Sequence, residues 1–157
     1  MYKSSNHRNR AFSLIELVIV IVIIGIIAAI AVPRMSRGAA GATDAALRAD
    51  LATLRSAIDL YHTEHEGLYP TEAAFVLQLS GYSDVLGAAQ VAKDAAHIYG
   101  PYIRAIPKLP VGNRKGQSGI AAIDGAAIGW IYIEGTGAIN ANCVAETDEA
   151  GVLYSTY

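Results

Sequence analysis

The chain has 157 residues, 53% of them hydrophobic, with a formal net charge of −2 and one cysteine. That length suits one domain, the lone cysteine forbids an internal disulfide, and there is no basic stripe with interleaved aromatics to hold nucleic acid. The charge is unevenly spread: residues 1–11 hold Lys3, Arg8 and Arg10 and no acid, whereas residues 12–157 hold nine Lys/Arg against fourteen Asp/Glu.

Residues 12–32, FSLIELVIVIVIIGIIAAIAV, form the longest apolar run and carry one charge, Glu16. As a helix rising about 1.5 Å per residue, they cross roughly 30 Å of hydrocarbon. The basic leader, 1–11, keeps the N-terminus cytoplasmic under the positive-inside rule and sends the rest outward. A cleaved secretory signal ending near Ala28, Ala29 or Ala31 would have a shorter apolar region and would leave Glu16 unexplained. An acid at the centre of a membrane helix costs about 2.5–3.5 kcal/mol, less near an end. Glu16 lies one turn in, so it either snorkels to the surface or meets a cation within the membrane. A cut before Phe12 would create such a cation, the new α-amine of a neighbouring copy. Pro33 lacks an N–H and is expected to kink or interrupt the helix, with Gly25 as a second weak point.

Arg10-Ala11-Phe12-Ser13-Leu14-Ile15-Glu16-Leu17 resembles the cleavage and methylation motif of type IV pilins and type II secretion pseudopilins. The resemblance implies cleavage between Ala11 and Phe12 by a prepilin peptidase, N-methylation of Phe12, and for Glu16 the pairing role in assembly. Ala11 stands where the family usually has glycine. It also implies a helix that is continuous in the membrane and loosens between Gly25 and Pro33 in a filament.

Residues 33–66 read as the second half of the same helix, with Leu47, Leu51, Leu54, Ile58 and Tyr61 on one apolar face. Asp44 with Arg48, and Arg55 with Asp59, are spaced as solvated i,i+4 ion pairs. Gly67 reads as the C′ stop. Thr71 is placed to cap a short helix through Leu79, and 84–98 reads as a second short helix, completing a helical subdomain over 71–98. Pro101, Pro107 and Pro110 make 100–113 an extended connector, after which Arg114 and Lys115 read as solvated charge in a surface turn. Gly67-Leu68-Tyr69-Pro70 and Pro101-Tyr102-Ile103…Pro107-Lys108 resemble the major pseudopilin. Leu109 and Val111 depart from it, standing where that family prefers Asp and Trp. Residues 118–143 read as a three-stranded antiparallel meander whose Ile131/Ile133 face covers the helix, opposite Trp130, Tyr132 and Glu134. The tail, 144–157, is expected to dock Tyr154 and Tyr157 on the head or on a neighbour. The expected fold is α+β and pilin-like: a transmembrane and filament-core helix over 12–32, then a periplasmic domain over 33–157 with short helices and a three-stranded antiparallel sheet.

His62, His65 and Glu66 share a helical face with the spacing of zinc ligands but lack a fourth donor, so a hydrophilic helix end is the preferred reading. The resemblance adds calcium as a candidate ligand near the C-terminus, with Glu134, Asn140, Asn142, Glu146, Asp148 and Glu149 as the available oxygen donors. Their spacing lacks the dense donor run that calcium's six to eight ligands need. Cys143 reads as a small core residue. No catalytic triad, carboxylate pair or phosphate loop is present, so no enzyme is expected. The expected function is that of a structural subunit of a type II secretion pseudopilus, polymerising through its N-terminal helix to drive protein export across the outer membrane. Its partners would be copies of itself, minor pseudopilins, the prepilin peptidase/methyltransferase and an inner-membrane assembly platform. It would sit in the inner membrane before assembly and in a periplasmic filament after it. One alternative is a type IV pilin of a surface fibre for adhesion, motility or DNA uptake, against which the missing cysteine pair speaks. The other is a membrane-anchored binding module that never polymerises.

Overall fold

The computed structural model describes residues 13–148 and 150–157, with side chains at all but 32–37 and 39. The leader, Phe12 and Glu149 lie outside the described residues. Contacts divide the chain into two units, Met1–Ala39 and Ala40–Tyr157, each taken by itself below.

Helix α1 spans Leu14–Glu64. In the first unit it carries the apolar span: Leu14–Ala31 has a mean hydropathy of 3.2 and no buried residue. The expected interruption at Pro33 does not occur, since α1 runs through that position. The Ala29 carbonyl forgoes one helical bond there, and the turns on either side keep the helix going.

In the second unit α1 presents the predicted stripe. Leu47, Leu51, Leu54, Ile58 and Tyr61 are each at most 1% exposed. The helix then closes with a Schellman turn in which the Gly67 N–H donates to the His62 carbonyl at 3.0 Å. That six-to-one bond makes Gly67 the C″ residue and Glu66 the C′ residue, one position earlier than the sequence suggests. Glu66 sits at φ 55°, a left-handed conformation that costs a residue with a Cβ roughly 1–2 kcal/mol. Glu66→Gly is therefore expected to stabilise the head by about 0.5–1 kcal/mol. An increase in the denaturant midpoint checks this; an unchanged or lower midpoint would contradict it.

A 3-10 turn, Glu72–Ala74, leads into helix α2, Phe75–Ser80. Thr71 makes no side-chain cap bond. Its N–H and hydroxyl instead donate to Gln78 Oε1, at 2.8 and 3.3 Å. The helix expected over 84–98 is absent. Strands β1, Tyr82–Ser83, and β2, Ala89–Gln90, pair antiparallel there. Side chains have captured the backbone: Asp84 accepts the N–H groups of Leu86 and Ala88, and Asp94 those of Ala96 and His97. Short carboxylates that bond their own following amides outcompete the alanine-rich helical propensity.

The main sheet joins β3, Gly119–Ala121, β4, Ile128–Ile133, and β5, Ala138–Ala141, in that order. β4 and β5 are antiparallel, as expected, but β3 and β4 run parallel. The meander expected from the Asp124-Gly125 turn signal is thus corrected at its first pair. Parallel strands usually need a longer crossover than 122–127 offers. Glycine at two facing places lets the backbones close up: a Cβ on Gly119 would lie 2.4 Å from the Ala127 carbonyl oxygen, and one on Gly129 2.3 Å from that of Gln117.

The buried face of β4 is also the opposite of the expected one. Trp130 and Tyr132 are fully buried, while Ile133 is 42% exposed. Both aromatics reach polar partners across the core, which the isoleucines have no means to do. Trp130 Nε1 donates to the Pro107 carbonyl at 2.9 Å and the Tyr132 hydroxyl to the Pro70 carbonyl at 2.8 Å. Tyr132 also packs edge-on against Phe75, centroids 4.5 Å apart. Leu109 and Val111, the residues that depart from the resemblance, lie in this core. The architecture is α+β and pilin-like: an apolar N-terminal helix, and a small head with short helices, a three-stranded sheet and a two-stranded sheet.

Candidate functional site

The N-terminal end of α1 is the first candidate. Leu17 N–H donates to the Ser13 carbonyl, and the Glu16 carboxylate accepts the Ser13 N–H at 3.0 Å. Glu16 thus folds back onto the first turn of its own helix, making the return half of a capping box. This satisfies one donor that the helix end would otherwise leave bare, and it sets a carboxylate at the positive end of the helix dipole. The S-x-x-E spacing ahead of an apolar run was the signal for Ser13, which the motif reading passed over. Ala11 and Phe12 lie outside the described residues. Around Glu16, thirteen large aliphatic side chains from Leu14 to Ile30 are 41–79% exposed. Burying each is worth about 1.5–3 kcal/mol, so a surface of this kind is costly to leave in water. A Cβ on Gly25 would meet nothing within 4 Å, so that position lies open on the span.

The head holds the polar candidates. The hydrophilic helix end expected here holds for Glu66, which is exposed, and is corrected at His65, which is fully buried. His65 stacks on Tyr61 at 3.7 Å, with Nδ1 2.8 Å from the Tyr61 carbonyl and Nε2 2.8 Å from Ser83 Oγ. His62 stacks on Tyr69 instead, so the two histidines face different partners. Nothing local in the sequence distinguishes them.

The oxygen donors considered for calcium go to separate partners. Glu134 accepts the Glu72 N–H, and Asn140 Oδ1 accepts Arg55 Nη2 at 3.2 Å. Asp148 takes the Tyr157 hydroxyl and the N–H groups of Ala150 and Val152. Asn142 uses its amide nitrogen to donate to Asp124 Oδ1 at 2.8 Å and to the Ile128 carbonyl at 2.9 Å. Glu146 accepts from the Asn113 and Ala145 amides, and Glu149 lies outside the described residues. Among the described residues, no group of three or more His, Cys, Asp or Glu is set to hold a metal ion. These side chains turn to separate partners rather than toward one point, unlike the ligands of a calcium cage.

A cation is present in that region all the same. Arg114 grips Asp124 with Nε to Oδ1 at 3.1 Å and Nη2 to Oδ2 at 3.0 Å, the two-pronged geometry suited to a carboxylate. The Arg114 fork, with Asn142 second, holds the Asp124 carboxyl below its ordinary range. The Asn113 and Ala145 amides do the same for Glu146, with the Arg114 charge adding to them. Asp148 is lowered chiefly by the Tyr157 hydroxyl. All three are depressed carboxylates, so their contribution is complete above the ordinary carboxylate range and is lost as pH falls through their lowered folded values.

The pairs expected along α1, Asp44–Arg48 and Arg55–Asp59, are replaced by long-range partners. Asp44 accepts the Tyr154 hydroxyl at 2.7 Å. Arg48 donates to the Tyr157 hydroxyl at 2.8 Å, lies 3.6 Å from Asp148, and stands 4.6 Å over the Tyr157 ring. Arg55 donates to the Ile139 and Tyr157 carbonyls. Partners 84–110 residues away in sequence outcompete weak exposed pairs, which are worth only a few tenths of a kcal/mol. Cys143 is 2% exposed and its thiol is pushed up to about 11 by burial, with the Glu146 charge adding to it. It is a packed, protonated side chain, unsuited to act as a nucleophile.

The described residues thus combine an α+β head with an exposed apolar N-terminal helix that has one acid in its first turn. Residues 6–32 match the family model described as Prokaryotic N-terminal methylation motif, the signal of type IV pilins and pseudopilins. The match indicates a type IV pilin-like protein, and such a motif implies a processing peptidase and pilus or pseudopilus assembly. The apolar helix at the N-terminus agrees with membrane anchoring. Searches of curated proteins and of solved structures returned no match.

Proposed function

We propose that the chain is a structural subunit of a type II secretion pseudopilus. It is cut between Ala11 and Phe12, N-methylated on Phe12, and assembled through α1 into a periplasmic filament that drives protein export. The observation that carries this reading is the exposed span Leu14–Ala31, opened by a methylation motif with Glu16 in its first turn. A surface of that kind is stable in lipid before assembly and among sister helices afterwards. The stretches 67–70 and 101–108 favour the pseudopilin over the surface pilin, because they resemble the major pseudopilin. The processing peptidase/methyltransferase, minor pseudopilins and an inner-membrane platform are the partners this role requires. The head faces the periplasm and the leader the cytoplasm. Gly25 and Pro33 supply the places where α1 loosens on entering the filament.

Mass spectrometry of the membrane-extracted protein tests the processing: the N-terminus should be N-methylated Phe12, and an intact Met1 terminus would overturn the reading. Deleting the gene should stop protein export while leaving surface fibres in place. Loss of fibres with normal export would assign the chain to a surface pilus instead.

A further inference from the structure

We infer that three arginines, Arg48, Arg55 and Arg114, do in this head the work of a divalent cation, cross-bracing the C-terminal third so that it folds and holds without calcium. This inference rests on the geometry of the head and is independent of whether the chain forms a pseudopilus or a pilus. Arg48 and Arg55 gather oxygens from segments far apart in sequence, as a bound metal would, and Arg114 anchors a carboxylate that does so in turn. Arg114, in the loop after the connector, holds both oxygens of Asp124. Through Asp124 it reaches the side-chain amide of Asn142, which is 3% exposed and ties in the Ile128 carbonyl of β4. Glu146 closes the same corner by accepting the Asn113 N–H at 2.9 Å, directly before Arg114. Asn113, Arg114, Asp124, Asn142 and Glu146 thus line one cavity of about 370 Å³.

From α1, Arg55 collects the Ile139 carbonyl, Asn140 Oδ1 and the Tyr157 carbonyl. Two turns earlier on the same face of α1, Arg48 collects Asp148 and the Tyr157 hydroxyl. Of the residues considered as calcium donors, Asn140 and Asp148 each meet one of these guanidinium groups directly, and Asn142 meets one through Asp124. A calcium ion needs six to eight oxygens free to turn toward one point. Here Asn140 and Asp148 turn to two separate guanidinium groups, whose positive charge would repel a second cation. A guanidinium is fixed in the chain and always charged, so the bracing does not depend on the calcium concentration outside the cell.

The test is thermal unfolding of the full-length chain in detergent, followed by Trp130 fluorescence, in about 10 mM calcium and in excess EDTA. That concentration is roughly tenfold above the weakest extracellular calcium modules. The two midpoints should agree within about 1 °C, because a ligand that does not bind the folded state does not stabilise it. Arg114→Gln and Arg55→Gln should each lower the midpoint by several degrees in both buffers. Arg114→Lys, which restores the charge without the fork, should recover part of the loss. A wild-type midpoint that rises with calcium or falls in EDTA overturns the inference, and so does an Arg114→Gln chain as stable as wild type. Should a variant fail to fold, the wild-type comparison still decides the calcium question.

Discussion

Glu16→Ala is expected to leave the protein in the membrane and out of the filament. Removing a carboxylate from the edge of an apolar helix relieves an insertion cost of up to about 2.5–3.5 kcal/mol, so anchoring should be unharmed or improved. Assembly should fail because the new Phe12 amine of an incoming copy loses its partner. Two unit charges 4 Å apart at an effective dielectric of about 20 attract by roughly 4 kcal/mol, about a thousandfold in an equilibrium constant. That loss would recur at each added subunit. Glu16 also accepts the Ser13 N–H, so a second variant is needed to separate charge from capping. Glu16→Gln keeps an acceptor for that N–H and removes the charge. If assembly depends on pairing, both variants should give no sheared filament. If Gln assembles normally and Ala does not, the capping bond is what matters. Wild-type filament yield from both would remove Glu16 from assembly altogether.

Trp130→Ala should unfold the head or nearly so. Trp130 is fully buried and is the only tryptophan in the chain. Truncating a buried aromatic to alanine costs about 3–5 kcal/mol, and leaving the Pro107 carbonyl without its indole donor costs a further 1–3 kcal/mol or so. Small domains have only about 5–15 kcal/mol in total. The melting midpoint by far-UV circular dichroism should fall by more than about 10 °C. Trp130→Phe retains much of the apolar area and should lose distinctly less. Comparable midpoints for Trp130→Ala and wild type would mean that β4 contributes little to the core.

The apolar span and the Leu47-to-Tyr61 stripe were legible in the sequence because both are periodic, and periodicity is a local property. The aromatic face of β4 was not, although alternation placed Trp130 and Tyr132 together correctly. Which side faces inward depends on acceptors such as the Pro107 and Pro70 carbonyls, brought there by a connector with no periodicity of its own. The same reason explains the arginines. Arg48 and Arg55 have acids at i±4, so local spacing assigns them solvated helical pairs, yet their oxygens arrive from residues 139–157. The parallel β3–β4 pair was hidden because a turn signal such as Asp124-Gly125 fixes a change of direction and says nothing of which strand comes back alongside. The methylation motif over residues 6–32, by contrast, was readable as it stood, since it is a linear pattern of residues.

The tail bonds carry a consequence for the order in which the head is made. Tyr154 reaches Asp44 across 110 positions, and Tyr157 reaches Arg48 across 109. Contacts of such separation form slowly, because the intervening loop must close before they repay its entropy. The amphipathic half of α1 is synthesised early and must wait for the last residues of the chain to cover its Asp44–Arg55 face. Until then that face is open to any passing helix, so the arrival of the tail is the step that commits the head to its own fold.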